Sequence, residues 1–307
     1  MIYRAEIDGL RALAVIPVIL FHAGFELFSG GFVGVDVFFV ISGYLITTIL
    51  IDDIENKQFN IVNFYERRAR RILPALTVVS LVSVVFAWIL LSDTTMNKFG
   101  DALIGVSTFV SNIIFWQQQG YFSESAELNP LLHTWSLAVE EQYYLLFPIF
   151  LILTWRLGKE RVFWVIVVMT VISLLVSEWG WRNKANANFY LAPTRAWELF
   201  AGSIAAFVVQ KRGTKSNNLM ATIGLVAIFY SFLFYDNSTP FPSVYTIVPV
   251  LGVVLLVLYA DAKTIVAKLL SNKILVGTGL ISYSAYLWHQ PFFAYSRHIT
   301  NQIHIGY

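Results

Sequence analysis

The 307-residue chain contains no cysteine. Disulfides, thiolate metal sites and a cysteine nucleophile are thereby excluded, while the redox compartment stays open. Charge is almost as scarce: 13% of residues are Asp, Glu, Lys or Arg, and the formal net charge is +2. So small an excess provides no electrostatic footprint for nucleic acid, and none is expected as a partner. No G-x-S-x-G elbow, glycine-rich nucleotide loop or H-E-x-x-H sequence occurs, which leaves hydrolase-elbow, P-loop and zincin chemistry without support. Nor is there a polar stretch long enough to form a separate water-soluble domain.

What is present is hydrophobic: 57% of the residues are apolar, and the mean hydropathy is +0.65. Apolar runs of roughly 17 to 21 residues recur along the chain, each able to cross about 30 Å of hydrocarbon as a helix. Backbone polar groups in lipid must be satisfied within the segment, so the expected fold class is an all-α, polytopic helical membrane bundle. The candidate spans are 12–28, 34–51, 72–92, 101–118, 135–154, 162–178, 195–210, 219–235, 244–260 and 275–296, giving about nine to ten crossings in one domain, 1–307. The N-terminal run lacks an A-x-A-like cleavage site and reads as the first membrane helix.

Basic clusters fall at Lys57 to Arg71, Arg156 to Arg161, Lys211 to Lys215 and Lys263 to Lys273, which the positive-inside rule assigns to the cytoplasm together with the N-terminus. Three candidate spans separate the first two clusters, so one of the three does not cross. The shortest and most polar is 101–118, expected to be re-entrant or to lie along the outer interface; the alternative is an external "WRLGKER" loop. On the first reading His133 enters from the outer side, and the tail "SRHITNQIHIGY" ends outside.

Ionisable residues within spans are costly and therefore candidates for function. "RALAVIPVILFH" places Arg11 and His22 on one helical face, on the order of 16 Å apart. Arg11 can also snorkel to the membrane edge. "GGFVGVDVFFVISGYLI" carries Asp36, which is either a helix-start cap or the carboxylate that orients His22. "FYERRARRILPAL" carries Arg67, Arg68, Arg70 and Arg71, more cations than topology needs and suited to a polyphosphate ligand, although anionic lipid would also attract them. In "HTWSLAVEEQYYLLFP", Ser136, Glu140 and Tyr144 lie near the face of His133, and Glu140 and Glu141 point about 100° apart, so that one can face a cavity with His133 while the other pairs with a cation elsewhere. "RAWELFAGS" sets Arg195 and Glu198 at ion-pair spacing, and "ISYSAYLWHQPFF" sets Ser282, Tyr286 and His289 on one stripe. Three histidines on separate spans lack metal-site spacing, and no metal is expected.

Taken in order from "YRAEIDGLRALAVIPVILFHAG" to "SYSAYLWHQPF", these motifs resemble the membrane acyltransferase family 3, which includes bacterial O-antigen and peptidoglycan O-acetyltransferases. The resemblance implies an enzyme of the bacterial inner membrane that takes acetyl from cytoplasmic acetyl-CoA, its acyl donor, and passes it to a hydroxyl of a glycan or lipid-linked saccharide. It implies cofactor-binding roles for Arg11, Arg67, Arg68, Arg70 and Arg71, and catalytic roles for His22, Asp36, His133, Glu140 and Glu141. In the combined reading His22, oriented by Asp36, is general base or acyl carrier, and His133 with Glu140 forms a second acid/base station. Family members usually continue beyond the H-Q-P helix, many with an SGNH-hydrolase-like domain, so a C-terminally truncated chain and an SGNH-like partner are expected. A secondary transporter relaying protons through buried Asp, Glu and His is the competing class.

Overall fold

A computed structural model describes residues 3–118 and 124–305, with side chains placed for 3–118 and 126–300. The sequence-expected tail runs past this limit, and Gly306 and Tyr307 lie outside the described residues. Every regular element among them is helical. In chain order the helices are α1 (Ala5–His22), α2 (Gly34–Glu55), α3 (Ile61–Leu90), α4 (Asp93–Ser107), α5 (Ser111–Gln118), α6 (Glu124–Glu127), α7 (Thr134–Trp155) and α8 (Lys159–Asn183). They continue as α9 (Ala185–Tyr190), α10 (Ala192–Arg212), α11 (Asn218–Phe234), α12 (Ile247–Tyr259), α13 (Ile265–Leu270), α14 (Lys273–Leu280) and α15 (Ser282–Ile305). Four segments are long and apolar enough to cross a membrane unaided: Gly31–Glu55, Ile61–Leu90, Thr134–Trp155 and Lys159–Asn183.

The apolar all-round helix α2 sits at the centre, packed by α1, α7, α10 and α12. Its contact with α10 is backbone-close. A Cβ on Gly43 would lie 1.9 Å from the Leu199 carbonyl oxygen, and one on Gly202 would lie 2.0 Å from that of Val40. Small residues at such crossings let helices gain dispersion contacts where lipid offers no hydrophobic drive. The opposite case is α3 and α8, which leave Leu81, Trp88, Trp164 and Leu175 exposed. Those faces suit hydrocarbon, as expected of peripheral helices in a bilayer.

Side-chain and backbone ties bring the four basic clusters to one end of the bundle, here called proximal, with the Ile265 amide donating to Asn218 Oδ1 at 2.8 Å. Lys159 bonds Glu55 at 2.7 Å, Gln210 bonds Asp52, and the Lys215 amide donates to Leu258 at 2.8 Å. Arg4, just before α1, donates to the Val257 carbonyl at 3.0 Å and to the Tyr44 hydroxyl at 2.9 Å. Hence α3 leaves from this end and α7 returns to it.

Rather than one 101–118 span, α4 and α5 form a hairpin that turns at Thr108–Val110, where Phe109 adopts φ 55° and Ser107 and Thr108 bond back to Leu103 and Ile104. Hydroxyls spent on the preceding turn weaken a helix at its end. Gln142 of α7 donates to the Phe109 carbonyl at 3.0 Å, and Gln118 reaches back to Asp101 at 3.4 Å, so the hairpin dips beside α7 and returns. Two other boundaries also differ from expectation. The first helix occupies 5–22 rather than 12–28, ending before Gly24 at φ 83°, and the last span is interrupted at Ile281 between α14 and α15.

Candidate functional site

A cavity of about 420 Å³ lies between α1, α2, α3, α7 and α15. Its lining on α2 runs from Ile49 to Val35. The fourteen helical steps between them correspond to about 21 Å along the bundle. Arg68 lines it beside Tyr144, Glu140 sits near its middle on Ser42 of α2, and Phe38, Ser136 and Tyr286 line it together toward the distal end; Arg11, Arg71 and Glu141 also border the space.

Helical phase divides the arginine cluster. Arg68 and Arg71, three residues apart on α3, share the inward face and line the cavity. Arg68 is steadied by rings, with its guanidinium 5.9 Å from the Phe64 centroid and 5.8 Å from that of Tyr144. Arg67 and Arg70 point away and are spent outside, on Asp53 at 3.0 Å and Glu66 at 2.7 Å. Of the four arginines of this cluster expected to bind a cofactor, the structure brings two to the cavity and leaves two outside it, because one helical turn cannot present all four to one space. Arg11 lines the cavity with its Nη1 3.1 Å from Asp8.

Both Glu140 and Glu141 face the cavity, so the expected division of the two carboxylates does not hold. Glu140 accepts from Ser42 of α2 and from Tyr144. Glu141 Oε1 has no hydrogen-bond partner among the described residues. His133 is separated from them. It occupies the N-cap position of α7, about 10 Å of helix from Glu140. Between the two lie Ser136 and Tyr286, so the expected His133–Glu140 station is not formed.

Asp36, in the first turn of α2, does not orient His22. Its carboxylate accepts from Arg195 of α10 at 3.0 Å, and Glu198 lies 3.4 Å from the same guanidinium. All three side chains are buried, and the rings of Phe39, Trp135, Phe189 and Phe241 stand 5.3–5.7 Å from the arginine carbon. The pairing at i, i+3 was legible; the larger assembly was not, since Arg195 is 159 residues from Asp36.

Distal to the cavity three imidazoles converge. His289 lies between His22, at 5.0 Å between ring centroids, and His133, at 5.3 Å. His22 Nδ1 is 2.8 Å from the Val18 carbonyl, and His289 Nδ1 is 2.5 Å from that of Tyr286. A carbonyl only accepts, so each Nδ1 carries hydrogen, and in the neutral ring the lone pair falls on Nε2. Backbone carbonyls thus fix the Nδ1 side of both rings. His289 was visible in sequence only through its stripe with Ser282 and Tyr286. Among the described residues no group of three or more His, Asp or Glu side chains is placed to hold a metal ion.

A family model described as an acyltransferase domain matches residues 4–306. The chain belongs to acyltransferase family 3. Within this acyltransferase family it is 34% identical over 306 residues to the peptidoglycan O-acetyltransferase OatA of Listeria monocytogenes, covering 94% of this chain and 49% of that protein. It is 32% identical over 321 residues to the O-acetyltransferase OatA of Staphylococcus aureus, covering 98% of this chain and 53% of the relative. The chain therefore spans about half the length of the curated relatives it matches. No solved structure matches it.

Proposed function

We propose that this acyltransferase chain is the membrane part of an O-acetyltransferase acting on a cell-envelope glycan, with acetyl-CoA as donor at the proximal, cytoplasmic end. The observation that carries the reading is the cavity itself: cations Arg11, Arg68 and Arg71 in its lining, Tyr286 toward its distal end, and the imidazoles of His133 and His289 directly behind that tyrosine. Guanidinium groups suit CoA phosphates, and an elongated cavity suits a pantetheine arm.

In the proposed reaction the thioester carbonyl is attacked by the acceptor hydroxyl while His22 Nε2 removes the hydroxyl proton. The C–S bond breaks as the new C–O bond forms, and the proton returns to the departing thiolate, so acetyl-CoA and alcohol become ester and CoA thiol. Glu140, held by Ser42 and Tyr144, and Glu141 set the charge around the arginines. At the distal end Arg297 donates to the His22 carbonyl at 2.7 Å and pairs with Glu127 at 2.9 Å, forming a polar cover that an acceptor sugar would approach. The relatives' names point to a glycan acceptor, peptidoglycan in the Listeria protein, and a bacterial cytoplasmic membrane fits that acceptor. An SGNH-like domain or separate partner would complete delivery to the glycan.

The test is transfer of labelled acetyl from acetyl-CoA in inverted vesicles carrying the full-length protein, with His22→Ala alongside. Acceptor-dependent incorporation that the substitution abolishes supports the reading. Solute flux with intact thioester would establish a transporter instead, and unchanged transfer by His22→Ala would remove the histidine's assigned role.

A further inference from the structure

The cavity and the imidazoles do not meet openly. Neither His133 nor His289 lines the cavity; both are enclosed, at 2% and 6% exposure. The lining ring against them is Tyr286, edge-on to His133 with centroids 5.4 Å apart and tilted to His289 at 5.2 Å. That ring is pinned. Its hydroxyl lies 2.7 Å from Ser136 Oγ and donates to the His133 carbonyl at 3.0 Å. Facing it across the cavity end is Phe38 of α2, with ring centroids 6.2 Å apart. Phe38 is half-buried; its neighbour Phe39 also borders the space, but its ring is buried against Arg195 and does not face Tyr286 in the same pair.

We infer that Phe38 and Tyr286 form an acyl-length filter: the two rings close the distal end so that a two-carbon acyl group fits against them and longer chains do not. The inference rests on reading the cavity as the acyl-CoA site. Its physical basis is the limited give of a packed wall. Phe38 is carried by α2, whose backbone-close crossing with α10 leaves little room to retreat, and Tyr286 is anchored by two hydrogen bonds. A longer acyl chain must then displace a ring or withdraw the thioester carbonyl from the imidazoles. Discrimination of this steric kind is worth roughly 10–200-fold per methylene in a shaped apolar pocket.

The experiment measures transfer from acetyl-, propionyl- and butyryl-CoA by the full-length protein in vesicles, as the ratio of acetyl to butyryl transfer. The natural protein is expected to favour acetyl. Phe38→Ala is expected to lower the ratio at least about 10-fold, and Tyr286→Phe, which keeps the ring but loses its anchors, to lower it less. An equal rate with butyryl-CoA in the natural protein, or an unchanged ratio in Phe38→Ala, would overturn the filter. Should Phe38→Ala fail to fold or transfer, Phe38→Leu decides by the same ratio. Absence of transfer from every thioester by the natural protein would instead remove the donor reading, and the filter with it. Active transfer with an unaltered ratio removes the filter alone.

Discussion

Arg195 of α10 holds Asp36 of α2 at 3.0 Å with both side chains wholly enclosed. An arginine inside a bundle of apolar helices is tolerated because two carboxylates and four aromatic faces replace its hydration. The pair also ties the central helix to its tightest neighbour. It thus places the wall that carries Phe38 and Phe39.

Removing the arginine leaves two buried carboxylates without their cation, so Arg195→Ala is expected to destabilise by about 3–5 kcal/mol, seen as a lower unfolding temperature of the detergent-purified protein; Asp36→Ala, which leaves Glu198 on the guanidinium, is expected to cost less. Arg195→Lys recovers little, since an ammonium group cannot reproduce the fork or spread its charge over the rings. A melting temperature unchanged in either alanine variant would count against this role.

Helical phase makes a sharper prediction for the arginines. Arg68→Ala and Arg71→Ala are expected to raise the KM for acetyl-CoA about 10–100-fold each, the size of a lost charged hydrogen bond. Arg67→Ala and Arg70→Ala, whose partners lie outside the cavity, are expected to change it less than about twofold. Initial rates across a donor series distinguish the two pairs, and equal effects at all four positions would refute the division.

For the imidazoles, His22→Ala is expected to lower the acetyl-transfer rate by about 10²–10⁴, the range of general base catalysis. Asp36→Asn should retain a larger share of transfer per folded molecule, because Val18, rather than Asp36, fixes the His22 ring. Transfer normalised to folded protein checks this. Equal loss in both variants would restore the Asp36–His22 pairing that the geometry replaces.

Packing supplies a control independent of chemistry. Gly43→Val drives a side chain into the Leu199 carbonyl and is expected to cost at least about 1–3 kcal/mol. Gly100→Ala, in the interior of α4 with nothing within 4 Å of the added carbon, is expected to stabilise by up to about 1 kcal/mol. Thermal unfolding of the two variants side by side reads both signs.

Much of this molecule was legible before folding. The apolar runs announced helices, the lysine and arginine clusters announced a shared end, and the parity of the loops singled out 101–118 as a segment unlike the others. The i, i+3 spacing of Arg195 and Glu198 announced their pair. Harder to read was phase relative to neighbours. Periodicity says that Arg68 and Arg71 share a face, but not that this face looks inward. The stripe of Ser282, Tyr286 and His289 was visible, yet nothing in it named His133 and His22 as companions.

By itself the sequence determined the class: hydrocarbon cannot satisfy a bare backbone, so long apolar runs in a chain with few charges leave helices as the economical solution. Which buried groups meet was decided only in three dimensions. Asp36 turned from His22, near it in sequence, to Arg195, far from it, because a carboxylate in an apolar interior takes whichever cation helix packing delivers.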